Sequence, residues 1–344
     1  MGNKTEIKFS VGYQLREDKL FKDIVERYKE KIEEVYFSWL NLPSGRGPIA
    51  EKVGYINWEG QKQLEYELNC IKKMGIKLGL LLNASCYGGF NLSVSLANTV
   101  VSTIEYLQEN IGIDIVTVFS PVVAYIIKKN FPGIKIRGSV NLRIGTVEGM
   151  EYVSDLFDSF VMQREYNRDF ETIEELNQWC NKNGKTLCIL VNSGCMNFCA
   201  VQLFHDNTIS HEIDVYTRGN ITEEIPGNCW SYYKKRENWR KLLQNSSWIR
   251  PEDIHNYKEK FSHFKLATRI NQEPEKIIKA YCNEKFDGNL LDLFEPSHTK
   301  LLFPYIIENT KFPEDWFQKI SSCKRNCDKC SYCKNILENI LVKF

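Results

Sequence analysis

"GQKQLEYELNCIKKMGIKLGLLLN", residues 60–83, holds the fold in miniature. Leu64, Leu68 and Ile71 recur at spacings of four and three, which puts them on one face of a helix. Gly75 then closes the segment as a C-cap glycine would. The next eight residues, "IKLGLLLN", are almost continuously apolar, as a strand covered on both faces should be. Helix, glycine and buried strand together make half of a parallel repeat.

The same unit returns along the chain. Apolar, β-rich runs occur as "IKFSVGY" (7–13), "EVYFSWL" (34–40), "IKLGLLLN" (76–83), "DIVTVFS" (114–120), "IKIRGSVN" (134–141), "FDSFVMQ" (157–163), "TLCILVN" (186–192) and "FKLATRI" (264–270). Segments of helical period separate most of them, including "DKLFKDIVERYKEKI", "LANTVVSTIEYLQENIG", "VVAYIIKKNFPG" and "TIEELNQWCNKNG". Eight βα units predict a (β/α)8 TIM-type barrel over residues 1–290, with an open doubly wound sheet as the alternative. The alternation is interrupted by a long insertion at about 195–250, and long irregular segments at this edge of a barrel are usually functional. A cysteine-rich extension occupies 291–344, and its cysteine loop is expected to pack over the barrel mouth.

Lys plus Arg number 45 and Asp plus Glu 44, giving a net charge of +1. No global field therefore favours nucleic acid or an anionic membrane. The start lacks a secretory pattern, no apolar run is long enough to span a bilayer, and Thr5 misses the position of a myristoylation motif. A cytoplasmic protein is expected. Its twelve cysteines then read as metal ligands or reduced core thiols rather than disulfides. Cys70, Cys180, Cys188 and Cys282 sit in helical or strand patterns and read as small core hydrophobes.

Chemistry in such a barrel gathers where the strands end. The residues following the runs are polar: Tyr13 and Gln14, Asn41 and Arg46, Asn83 with Ser85 and Cys86, Ser120, Ser139 with Asn141 and Arg143, Gln163 with Arg164, Asn192 and Arg269. Amides, hydroxyls and guanidiniums around an apolar floor suit a small polar, heteroaromatic or carboxylate-bearing ligand. His205, in "LFHDN" of the insertion, is the best general-base or ligand candidate among five histidines.

The densest signal is "CKRNCDKCSYC", residues 323–333. Cys323, Cys327 and Cys330 are spaced C-x3-C-x2-C, with Cys333 two residues further on. Zinc sites usually separate two C-x2-C pairs by a longer spacer, so an iron–sulfur cluster fits this compression better, with zinc or no metal as the alternatives. Cys195, Cys199 and Cys229, in the insertion, form a second candidate set.

The C-x3-C-x2-C spacing resembles that of radical S-adenosylmethionine enzymes. The resemblance implies a [4Fe-4S] cluster on Cys323, Cys327 and Cys330 with one iron left open for S-adenosylmethionine, and Cys333 as a bystander or reserve ligand. In that family the motif usually follows the first strand and carries an aromatic before the third cysteine, whereas here it is C-terminal and has Asp328 and Lys329 there. A second resemblance rests on "LVNSGCMNFCAVQLFHDN", "PGNCW", "WIRPEDIHNY" and "FKLATR". These look like barrel proteins related to the U32 collagenase-like peptidases, several of which are iron–sulfur proteins that modify RNA or quinones. It implies that Cys195, Cys199 and Cys229 line the barrel mouth.

Taken together, the two resemblances point to the atypical radical S-adenosylmethionine lyases that cleave queuine to 7-aminomethyl-7-deazaguanine. What that implies is a 7-deazaguanine substrate, a reducing partner such as flavodoxin or ferredoxin, and no membrane or nucleic-acid partner. Two other readings stand beside it. One is RNA modification, for which "YYKKRENWRK" (232–241) and "CKRNCDKC" interleave aromatic and basic residues. The other is a metal-stabilised binding protein with all four C-terminal thiols closed on one centre. No G-x-S-x-G elbow appears, so serine hydrolysis is not expected. His211, Glu212 and Asp214 read as a solvated loop, and "GGFN" (88–91) as a simple turn.

Overall fold

The structure, a computed structural model, describes residues 6–39, 42–45, 57–212, 228–261 and 263–344. Eight parallel strands close into a barrel in chain order. They are β1 (Phe9–Gly12), β2 (Ile32–Ser38), β3 (Lys77–Leu82), β4 (Ile115–Val118), β5 (Lys135–Gly138), β6 (Ser159–Val161), β7 (Thr186–Leu190) and β8 (His263–Leu266). Each lies within or across one of the eight apolar runs. Phe9 of β1 is paired with Phe264 of β8, which closes the sheet and removes the open-sheet alternative.

Helices α1 (Phe21–Arg27), α2 (Trp58–Lys73), α3 (Val94–Asn110), α4 (Pro121–Asn130), α5 (Val147–Val153) and α6 (Phe170–Lys182) lie between successive strands. Asn57 begins α2 by accepting the Gly60 N–H on its side chain, and Gly75, at φ 82°, ends it in the left-handed region that glycine enters without strain. The face carrying Leu64, Leu68 and Ile71 is fully buried. It belongs to one continuous core with Val35, Phe37, Leu78, Leu80 and Leu82, the alternate residues of β2 and β3. Each such side chain contributes about 1.5–3 kcal/mol on burial.

The other set of alternate strand residues points into the barrel and mixes charged side chains with a small apolar cluster of Val161, Cys188 and Leu190. Glu34 of β2 reaches Arg137 of β5 at 2.8 Å, although these strands are not neighbours, so the two side chains meet through the interior. His263 of β8 lies 3.0 Å from Glu34 and 2.8 Å from Ser10 of β1. The sequence reading of strands mostly apolar on both faces is corrected in part: the outer face is apolar, whereas the lumen sets Glu34, Arg137, His263 and Lys265 beside its apolar residues.

After β7 the insertion forms α7 (Gln202–Ser210) and the short helices Asn228–Tyr233 and Lys241–Gln244. The C-terminal extension packs on this edge through a column of rings: Phe294 stacks on Trp248, Trp248 on Trp316, and Trp316 on Tyr332. Arg168 runs along the column, 4.6 Å from the Trp248 ring centre. It donates hydrogen bonds to the Leu243 and Trp248 carbonyls and to Ser246 Oγ. Strands Tyr305–Ile307 and Leu341–Lys343 pair antiparallel and hold the chain end to the extension. Among the described residues no helix is long and apolar enough to cross a membrane.

Candidate functional site

A cavity of about 100 Å³ opens at the C-terminal ends of the strands. Its floor is Tyr36, Leu81, Leu190 and Lys265, inward residues near the ends of β2, β3, β7 and β8. Asn83, Asn141, Arg164 and Arg269, four of the residues picked from sequence, stand around it. Cys195, Cys199 and His205 line it from the insertion, and Cys229 from the helix that follows. The strands therefore bring together eight of the candidates at one mouth.

Asn83 accepts the Gly45 N–H at 3.0 Å, which holds a segment of the β2–α2 loop over the cavity. Arg269 donates to Ser38 Oγ and Ser44 Oγ. Its stem and the Tyr36 ring crowd against Gly12, where a Cβ would meet Arg269 Cγ at 2.5 Å. Only glycine leaves room for both on that wall.

Other candidates are held in structural contacts. Tyr13 is buried against Phe21, and its hydroxyl donates to Glu67, so its phenol is directed toward α2. Asn192 donates to the Ala267 and Leu293 carbonyls and accepts the Ala267 N–H; the amide joins β7, β8 and the extension instead of facing a ligand. Ser139 is buried and accepts the Asn141 N–H. Arg143, at φ 54°, turns its guanidinium to Glu165 at 3.5 Å. Asn41 and Arg46 lie outside the described residues.

The sequence reading missed Glu34, Arg137, His263, Lys265, Asp206 and Glu295. Alternation was the available signal for four of them: "IEEVYFS", "KIRG" and "HFKL" place Glu34, Arg137, His263 and Lys265 on the same inward face. Arg137 and His263 draw the Glu34 carboxyl well below the usual range despite its burial. Burial lowers Lys265 to about 8, and neighbouring Arg137 adds to the shift. Asp206 and Glu295 come from α7 and the extension, whose placement depends on the tertiary fold.

The thiols form two groups. At the mouth, burial raises the Cys229 thiol, and Cys195 and Cys199 raise it further. Cys323, Cys327 and Cys333 line a separate cavity of about 320 Å³ with Tyr166, Arg168, Phe198 and Arg325. The C-terminal loop was expected to pack over the mouth. Instead the ring column anchors it to one side, against the β6 and β7 loops.

The donor set of that second group suits an iron–sulfur cluster. Three thiols line the cavity, Cys330 lies near them outside its lining, and the Arg325 N–H, turned inward by a left-handed φ of 56°, donates to Cys323 Sγ at 3.3 Å. Burial pushes Cys333 up to about 11, and Arg168 partly offsets the shift. Among the described residues no three His, Cys, Asp or Glu side chains close around a single metal ion. A cluster holds its thiolates at separate corners and asks for a wider spacing than one ion does.

No protein-family profile matches the sequence. The chain is 28% identical over 290 residues to an uncharacterized protease of Methanocaldococcus jannaschii, covering 81% of this chain and 82% of the relative. Its fold is similar to the solved structure of a U32 peptidase, with a TM-score of 0.52 and 15% identity over 78% of this chain and 94% of that one. A glycoside hydrolase family 5 mannosidase from Rhizomucor miehei aligns at a TM-score of 0.41 and 11% identity over 76% and 80% of the two chains, too distant to bear on function. The chain is thus a (β/α)8 barrel similar in fold to a U32 peptidase.

Proposed function

We propose that this chain is a U32-like iron–sulfur enzyme acting on a nucleobase-sized polar molecule at the barrel mouth. One juxtaposition carries the reading: a largely apolar cavity with polar groups at its rim, walled by Cys195, Cys199 and Cys229, adjoins a loop of four further thiols, and Phe198, between Cys195 and Cys199, is in contact with that loop. Cys323, Cys327 and Cys330 would hold a [4Fe-4S] cluster, which with S-adenosylmethionine supplies radical chemistry when bound. The chain's own part is to bind and enclose. Asn83 and Asn141 present amides suited to the edge of a deazaguanine, Arg164 and Arg269 suit oxygen acceptors, and the 195–206 segment with Glu295 and Pro296 narrows access for water. Queuine is the first substrate in this reading, cleaved at the C–N bond to release 7-aminomethyl-7-deazaguanine, with a low-potential flavodoxin or ferredoxin as electron source.

RNA modification is the second reading. The likeness to a U32 barrel favours it, as does Arg236, set over the rings of Trp239 and Tyr305 on the basic 232–241 surface. Proteolysis, suggested by the name of the archaeal relative, has less support. Ser10 is hydrogen-bonded to His263, but Ser10 is fully buried in the lumen and lines neither cavity.

The test is anaerobic reconstitution with iron and sulfide, reduction, and a 5′-deoxyadenosine assay with queuine, with transfer RNA, or with neither. Deoxyadenosine that rises with queuine, together with the released aminomethyl base, supports the first reading. A cluster-dependent change in RNA supports the second, and a loaded cluster inert to both refutes the proposal.

A further inference from the structure

Two cations in the wall of the mouth cavity have, among the described residues, no ion-pair partner within contact distance. Lys265 is 8% exposed; its Nζ sits 4.0 Å from the centre of the Tyr36 ring and, among the described residues, makes no hydrogen bond or ion pair. Arg164 is 5% exposed, and its Nη2 is buried with no hydrogen-bond partner among the described residues. Both line the same cavity. The other buried cations are provided for: Arg137 meets Glu34, Arg168 meets three oxygens, and Arg250 meets Asn309.

Leaving a buried charge without a counter-group costs several kcal/mol, so proteins retain one mainly where something else completes it. Tyr36 supplies the Lys265 ammonium with a π face, which holds it in place but leaves its N–H donors directed elsewhere. A guanidinium fork and an ammonium at one wall match the two oxygens of a carboxylate better than a neutral amide or hydroxyl. Asp206 and Glu295 also line the cavity and would repel an anion from their own part of it.

We propose that Arg164 and Lys265 form a carboxylate subsite in the mouth, which takes a small carboxylate-bearing co-substrate beside the base, since queuine itself carries no carboxylate. The inference rests on the mouth being the ligand site, as proposed above, and is independent of any cluster chemistry.

The experiment uses the full-length chain without reconstituted cluster and titrates it with benzoate and with benzamide, a neutral molecule of nearly the same shape. Benzoate is expected to bind at least about tenfold more tightly than benzamide. Lys265→Met and Arg164→Leu are each expected to lower benzoate affinity about tenfold and leave benzamide unchanged, while Lys265→Arg keeps benzoate binding within a few-fold. In protein carrying 13C at lysine Cε, benzoate should shift one resonance, missing from Lys265→Met; this readout and Lys265→Arg serve if the Met variant does not fold. Equal affinity for the two probes, absence of benzoate binding, or benzoate affinity unchanged in the folded variants overturns the proposal. A failed deoxyadenosine assay leaves the benzoate result standing, so the two failures are distinguishable.

Discussion

Arg325 lies over the ring of Phe198, its guanidinium carbon 5.4 Å from the ring centre, and donates to the Glu165 carbonyl. Arg325 stands between Cys323 and Cys327, and Phe198 between Cys195 and Cys199. Both residues have a left-handed backbone, at φ 56° and 52°. Residues with a side chain adopt that conformation at a cost of about 1–2 kcal/mol, so their surroundings must hold them there. The contact joins the two thiol groups of the molecule.

Arg325→Ala is therefore expected to separate function from stability. The exposed ring contact contributes about 0.5–1 kcal/mol, so urea unfolding should move little. Cluster-dependent activity should fall at least about tenfold if the loop must stay docked beside the mouth, a loss of about 1.4 kcal/mol in the transition state. Full activity in the variant would show that the contact has no functional part.

Arg168→Met should destabilise the whole chain. It removes three buried hydrogen bonds and the cation beside Trp248 and Trp316. The expected loss is about 2–4 kcal/mol, with a changed near-ultraviolet signal from the stacked tryptophans. A loss below about 0.5 kcal/mol would mean that the ring column alone anchors the extension.

Asp253 gives a pH signature. Burial lifts its carboxyl to about 6, with Arg250 opposing the shift, and its Oδ2 has no hydrogen-bond partner. A folded-state value above the unfolded one stabilises the fold at low pH, and this contribution is lost as pH rises from about 4 to about 6. Asp253→Asn should match the parent at pH 4 and be more stable at pH 7 by about 1–3 kcal/mol. Parallel stability profiles across that range would remove the assignment.

The thiols should sort by position under brief alkylation of cluster-free protein. Cys323 and Cys330 are exposed, whereas Cys180 and Cys188 are buried and burial raises both thiols, Cys180 to about 12. Mass mapping should find the first pair modified and the second pair intact, because thiolate and access together set the rate. Loading with iron and sulfide should then protect Cys323 and Cys330. Unchanged labelling of both after loading would argue against a cluster there.

The barrel was legible in the sequence because each strand carries its own apolar run, and Gly75, Gly112 and Gly184 mark three helix ends with positive φ. Local pattern specified those elements without tertiary help. The lumen was not read because Glu34, Arg137 and Lys265 look like stray charges until closure brings distant strands together. Tyr13 and Asn192 show the opposite failure: a polar residue at a strand end can serve the scaffold, and only its partners Glu67, Ala267 and Leu293 show that it does. Separation of the two cysteine groups was likewise invisible, since it depends on where Trp248, Trp316 and Arg168 fasten the extension.

The most direct test of the central claim is the electron paramagnetic resonance spectrum of the reconstituted, reduced protein with and without S-adenosylmethionine. An open iron on Cys323, Cys327 and Cys330 predicts a spectrum that changes when S-adenosylmethionine is added, persists in Cys333→Ala and is lost in Cys327→Ala. A reduced cluster whose spectrum is indifferent to S-adenosylmethionine, or one retained in full by Cys327→Ala, would contradict it.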